Sequence, residues 1–295
     1  MRRAFSRRLI AGAREIQDRA LGGEDDLAEL ITDKTKLIIL NSPSNPTGGV
    51  LPASLIGEIA AMVKERCRPD VRIYSDEIYE HILFDGAQHH SIAAIPGMKD
   101  KTLIATGASK SYSWTGGRIG WVVFPNAEEA QIFKNLNINY FSCIAPYNQE
   151  GARLAIESPL SKDSIAEMNR AFEQRRDFVV DALNNMPGVV CQLPKGAFYV
   201  FPNIAGVVKN LKIDEAYAAL PEDVKKTTSP STLFQMFLLW EYHVAMMDRK
   251  SFGQIGTKNM HYLRLSIATG LEDLKIGMER MAKAVVDHAG FAQFV

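Results

Sequence analysis

Ser109-Lys110-Ser111-Tyr112-Ser113-Trp114-Thr115-Gly116-Gly117-Arg118-Ile119-Gly120 is the stretch on which the reading of this chain turns. An amine forms a Schiff base once its pKa is lowered, and a guanidinium grips a phosphate through two parallel hydrogen bonds. Lys110 and Arg118, held a cofactor's length apart, suit a carbonyl cofactor that also carries a phosphate. Taken alone, the stretch reads first as a solvated loop, because lysine and arginine flanking a Gly-rich turn usually face water.

Three further segments bear on that choice. Upstream lie Asn45-Pro46-Thr47-Gly48 and Tyr74-Ser75-Asp76-Glu77-Ile78-Tyr79, and near the end lies Tyr262-Leu263-Arg264-Leu265-Ser266. In this order the four segments resemble the class I/II aminotransferases, the fold-type I, aspartate aminotransferase-like enzymes that use pyridoxal 5'-phosphate (PLP). The resemblance runs from about Lys36 to the C-terminus.

The pattern of apolar runs agrees with an α/β protein. Leu37–Leu40, Val71–Tyr74, Thr102–Ala105 and Ile119–Phe124 read as strands, the first running into the turn residues Asn41, Ser42 and Pro43 and the last stopped by Pro125. Pro52–Glu65 reads as a helix with an apolar stripe through Leu55, Ile56, Ile59 and Met62. Strands alternating with helices predict a sheet covered on both faces. Ligands of such sheets bind at the carboxyl ends of the strands, where Asn45, Asp76 and Lys110 all fall. Asn148–Arg176 reads as helix-rich. Beyond it, Val189–Val200 reads as two strand-like pieces around Pro194 and Gly196, Phe234–Tyr242 as a helix, His243–Met247 and Tyr262–Ile267 as strands, and Leu271–Val286 as a closing helix.

The expected architecture is therefore a three-layer α/β/α PLP-dependent transferase fold (fold type I). Its large domain, incomplete at the N-terminus, is followed by a smaller α+β C-terminal domain. The expected divisions are an atypical leader over 1–35, a partial PLP-binding domain over 36–165 and the small domain over 166–295.

The resemblance assigns roles residue by residue. Lys110 would hold PLP as a Schiff base and then, freed by substrate, move the proton between the substrate Cα and the cofactor C4'. Asp76 would keep the pyridine nitrogen protonated; an aspartate after a strand otherwise caps a helix or faces solvent. Tyr79 and Asn45 would hydrogen-bond the ring's phenolic oxygen, although Asn before Pro is also an ordinary turn residue and tyrosine a common core residue. Arg118 would clamp the phosphate, with Ser109 contributing its hydroxyl. Arg264, with Asn45, would bind the substrate, the guanidinium gripping its α-carboxylate in a planar pair. Together these make an aminotransferase acting between an L-amino acid and a 2-oxo acid. The same residues also serve a carbon–sulfur lyase, and a truncated or non-catalytic domain of this ancestry is a third reading.

Composition narrows the partners. The 295 residues carry 34 Lys+Arg and 34 Asp+Glu, so no global field favours nucleic acid or a membrane surface. No apolar run spans a bilayer. Cys67, Cys143 and Cys191 are odd in number and scattered, without metal-ligand spacing. The expectation is a cytoplasmic homodimer with no metal. His81, His89, His90, His243 and His261 lack ligand spacing too and read as solvent-facing or satisfied in place.

Four features depart from the family pattern. Arg2, Arg3, Arg7, Arg8, Arg14 and Arg19 make a dense basic leader; we read it as a solvated helix or a remnant at a truncated end, a transit peptide or phosphate-binding arm being the alternatives. Family members carry roughly a hundred or more further residues ahead of Asn-Pro-Thr-Gly, going by the size such domains need. Finally, Gly107 stands where some relatives place a phosphate-contacting serine, and Asp248-Arg249-Lys250-Ser251-Phe252-Gly253 replaces a Pro-Gly step with a charged run that reads as a solvated loop.

Overall fold

The computed structural model describes Leu27, Leu30 and residues 31–252 and 261–295. The Arg-rich leader, Arg2 to Arg19, lies outside the described residues. The chain divides into two compact units. One takes in the described part of Met1–Asn45 together with Gly49–Asn169 and Lys195–Ala197; the other takes in Pro46–Gly48, Arg170–Pro194 and Phe198–Val295.

The first unit is built on four strands: β1 (Leu37–Asn41), β2 (Arg72–Asp76), β3 (Thr102–Gly107) and β4 (Gly120–Val123). They pair in the order β1-β2-β3-β4, the first two pairings parallel and the last antiparallel. The helix α1 (Ala53–Arg66) buries Ile56, Ile59, Ala60, Met62 and Val63, while Leu55 of the expected stripe is only partly buried against the same core. They pack with Ile38 and Leu40 of β1, Ile73 of β2 and Val71, Ile92 and Met98 into one core, which Leu27 joins.

After β3 the chain makes the single-turn helix α2 (Ala108–Ser111), and after β4 the helices α3 (Ala127–Phe141), α4 (Pro146–Glu157) and α5 (Leu160–Asn184), the last passing into the second unit. A small cluster of Ala108, Ile119 and Ala152, flanked by Tyr112, Trp114, Trp121 and Ile144, joins α2, β4 and α4. No residue of α3 is buried. Its start is fixed instead by polar contacts: Asn126 Oδ1 accepts from the Glu129 N–H at 2.9 Å, and the Arg72 guanidinium of β2 donates to Glu129 Oε1 at 2.6 and 3.1 Å.

The second unit holds the antiparallel sheet β5 (Tyr199–Val200), β6 (Met247–Asp248) and β7 (Leu263–Ser266), with β7 in the middle. Around it are α6 (Ala205–Asn210), α7 (Ile213–Ala219), α8 (Glu222–Lys225), α9 (Pro230–Tyr242), α10 (Leu271–Ala284) and α11 (His288–Phe294). Phe234, Phe237 and Leu238 of α9, with Met278 and Met281 of α10 and Phe291 of α11, are buried. Phe237 meets Phe291 edge-on at 5.3 Å.

The second unit departs from the sequence reading in three places. Val189–Val200 contains one two-residue strand rather than two pieces, because Val190 makes only an isolated bridge to Asn203. His243 does not begin a strand; at φ 55° it terminates α9 in the left-handed conformation, and pairing starts at Met247. The charged run is no solvated loop, for Asp248 and Arg249 are only 4% and 3% exposed. Asp248 Oδ1 accepts from the Ser251 N–H at 3.0 Å, its Oδ2 accepts from the Thr232 hydroxyl, and Lys250 Nζ donates to the Thr228 carbonyl at 2.7 Å. The carboxylate thus organises a turn where a Pro-Gly step would set it by backbone geometry. Gly253 lies outside the described residues. No described helix is long and apolar enough to cross a membrane.

Candidate functional site

The carboxyl ends of β1, β2 and β3 lie level, since Asn41 pairs with Asp76 and Asp76 with Ala105. That register brings the ends of all three parallel strands to one edge, the place where such sheets bind ligands. Asp76 is the last residue of β2, and Lys110 sits in α2, three residues past the end of β3.

Asp76 is half-buried. Its Oδ1 accepts from the Ile78 N–H at 3.3 Å, and among the described residues it has no cationic partner. Burial pushes its carboxyl above the ordinary value; the Ile78 N–H pulls the other way, and the neighbouring Glu77 charge adds to the rise. Tyr79, three residues on, is 3% exposed, and its carbonyl accepts from the Ile82 N–H at 2.8 Å. Asn45 is half-buried on the loop after β1, its N–H donated to Asn41 Oδ1 at 2.8 Å.

Lys110 is half-buried, and its carbonyl accepts from the Ser113 N–H at 3.0 Å. The Ser109 carbonyl takes the Thr115 hydroxyl at 2.9 Å, which draws the loop back over α2. Arg118 has a left-handed backbone at φ 50°, is exposed, and donates from Nη1 to the Thr115 carbonyl at 3.0 Å; among the described residues it has no carboxylate partner. These six residues all belong to the first unit. Arg264 belongs to the second, on β7, with its guanidinium 4.3 Å from the centre of the Tyr199 ring and 5.0 Å from that of Phe252.

Gly107 is a matter of close approach. A Cβ there would lie 2.9 Å from the Gly120 Cα and 2.9 Å from the Ile119 carbonyl oxygen. A serine at this position has no room while β3 and β4 pair through these two glycines.

Two groups carry weight that sequence reasoning did not assign. Asn41, taken only as a turn signal, contacts both Asp76 and Asn45 through its carboxamide. Glu77 lies inside a quoted motif, and its buried carboxylate gathers Ser75 Oγ at 2.7 Å, Ser91 Oγ at 2.6 Å and His89 Nε2 at 2.8 Å. The alternation of β2, which turns Ser75 and Glu77 to the side opposite Asp76, was the available signal.

A family model for aminotransferase class I and II matches residues 24–281. The chain belongs to the class I and II aminotransferases. Members of this family use PLP. The aspartate aminotransferase of Pyrococcus abyssi is 35% identical over 263 residues, covering 88% of this chain and 60% of that protein. A probable aspartate/prephenate aminotransferase of Aquifex aeolicus is 38% identical over the same shares of each chain. The crystal structure of an aromatic aminotransferase from Pyrococcus horikoshii matches at a TM-score of 0.78 and 32% identity, over 95% of this chain and 66% of that one. These neighbours share the fold-type I architecture. This aminotransferase chain spans about 60% of the length of the curated relatives named here.

Proposed function

We propose that this chain acts as a PLP-dependent aminotransferase, moving an amino group between an L-amino acid and a 2-oxo acid. The observation that carries the reading is Asp76, a half-buried carboxylate without a cationic partner among the described residues, at the end of β2 and beside the strand that leads into Lys110. Burial has raised its carboxyl, so a protonated ring nitrogen would supply the countercharge that the described residues do not. The donor set suits the rest of the cofactor, with an amine at Lys110 for a carbonyl carbon and an exposed guanidinium at Arg118 for a phosphate dianion.

When bound, PLP supplies an electron-accepting ring that stabilises negative charge at the substrate Cα. Lys110 Nζ would hold the cofactor and, when free, would move the proton at the substrate Cα. Asp76 would keep a proton on the ring nitrogen. Tyr79 and Asn45 would donate toward the ring's phenolic oxygen, and Ser109 would assist Arg118 at the phosphate. Arg264, its guanidinium 4.3 Å from the Tyr199 ring centre, would offer a planar donor edge to the substrate α-carboxylate. A homodimer belongs to this reading; the apolar side chains exposed along α3 and α4, with Phe141 at 71% and Tyr147 at 77%, support association.

The test is a visible spectrum of the purified chain with added PLP, before and after a mixture of amino acids. A yellow band that bleaches with the amino acids and returns with a 2-oxo acid is the expected result. Pyruvate and ammonia released without an oxo-acid acceptor would make it a lyase instead, and no band would defeat the reading for this chain.

A further inference from the structure

Asn41 closes β1 directly opposite Asp76. Its Nδ2 donates to the Asp76 carbonyl oxygen at 3.1 Å, and its Oδ1 accepts from the Asn45 N–H at 2.8 Å. One side chain therefore joins the end of the second strand to the loop that follows the first. The Asp76 carbonyl also receives the Ser42 N–H at 3.3 Å, so the strand pairing has its own backbone bond there and does not need the carboxamide. The Asn45 N–H lies past the end of the β1–β2 pairing and donates to the Asn41 carboxamide.

The chemistry of the clamp is specific. It needs a donor and an acceptor on one short side chain, pointing in opposite directions. A carboxylate of the same shape offers two acceptors and would face the Asp76 carbonyl oxygen with no proton between them. Alanine offers neither group. What the clamp fixes is the separation of the Asp76 and Asn45 backbones, and hence of the two side chains assigned above to the ring nitrogen and the phenolic oxygen.

We propose that Asn41 is a positioning residue for the cofactor ring, setting Asn45 against Asp76 through its carboxamide. The proposal rests on the aminotransferase reading for what the two residues hold, while the clamp itself belongs to the ligand-free chain.

The experiment compares the wild type with Asn41→Ala and the isosteric Asn41→Asp, using amide hydrogen exchange without ligand and titration with PLP. In Asn41→Ala the Asn45 amide should exchange about tenfold faster and PLP affinity should fall about tenfold, the worth of one hydrogen bond. Exchange at Ile73 and Ile104 inside the sheet should not move. Asn41→Asp should keep Asn45 protected, yet weaken PLP and shift the pH midpoint of its visible band, which a purely structural role would leave alone. Unchanged exchange at Asn45 in Asn41→Ala would overturn the clamp, as would wild-type affinity and band position in both variants. Loss of protection throughout the sheet in both variants would make Asn41 a folding residue and overturn it too. Should the wild type take up no PLP, the aminotransferase reading falls separately, and Asn45 exchange alone decides the clamp.

Discussion

His89 Nε2 lies 2.8 Å from Glu77 Oε2, and that carboxylate, 3% exposed, is one residue from Asp76. Burial alone would raise the Glu77 carboxyl, but hydrogen bonds from His89, Ser91 and Ser75 outweigh it and hold the value below the ordinary one. A carboxyl depressed in the folded state contributes stability that is present above its unfolded value and lost as pH falls through its folded value. Glu77→Gln should therefore cost roughly 1.5–3 kcal/mol at neutral pH, the range for charge-assisted hydrogen bonds. It should also flatten the loss of stability in acid. Urea melts at neutral and acidic pH measure both; an unchanged acid slope would remove Glu77 from the account.

Asp76 has the opposite sign. Its carboxyl is raised by burial, so the folded chain holds the proton more tightly than the unfolded chain does. Such a group costs nothing below its unfolded value, and the cost grows as pH rises through its folded value. Asp76→Asn should accordingly melt higher than the wild type at neutral pH without cofactor, while losing most of the amino-acid half-reaction. Asp76→Ala should lose more of that half-reaction than of cofactor capture. A lower melting temperature for Asp76→Asn would contradict the assignment of that carboxylate as an uncompensated charge.

Restoring a serine at Gly107 should harm the chain rather than supply a phosphate contact. The added Cβ meets two backbone atoms of the Ile119–Gly120 peptide at 2.9 Å, and neither is a flexible side chain that can swing away. Overpacking of this kind costs typically about 1–3 kcal/mol. Gly107→Ser should thus lower the melting temperature and weaken PLP, and tighter PLP binding by this variant would show that β3 and β4 can part at no cost.

Lys110 and Arg118 separate by the kind of loss they cause. With Lys110→Ala, borohydride reduction in the presence of PLP should leave no modified lysine in peptide mass spectra, although some PLP still binds. Arg118→Ala should keep the modified Lys110 while weakening PLP by about tenfold to a hundredfold, for a charge-assisted contact of roughly 1.5–3 kcal/mol. A reducible adduct on another lysine in Lys110→Ala would reassign the anchor.

Local signals were enough for the parallel core. The apolar-rich segments Leu37–Leu40, Val71–Tyr74 and Thr102–Ala105 end within a few residues of β1, β2 and β3, because each strand carries buried apolar residues and is bounded by polar or turn residues. Asp76 and Lys110 could be placed at strand ends for the same reason. Asp248 could not be foreseen, since nothing local says that Thr232, sixteen residues earlier, will supply a hydroxyl to bury it. The Glu77 network was hidden likewise, because His89 and Ser91 reach the carboxylate from a separate loop. Asn41 looked like punctuation after a strand, and only the register with Asp76 turns it into a clamp. Helix α3 carries apolar residues on all sides and buries none, so periodicity had no face to report.

Gly107 and Gly120 face each other across β3 and β4, and everything between them is one excursion from the sheet that leaves and returns at the same point. Lys110 stands near its outgoing end and Arg118 near its returning end. The segment therefore works as a ruler whose zero mark is the glycine contact. Single substitutions along it can change the chemistry of one graduation, but inserting or deleting a residue moves the amine and the guanidinium relative to each other at once. Its length, more than the identity of its intervening residues, is what natural variation at this locus should leave alone.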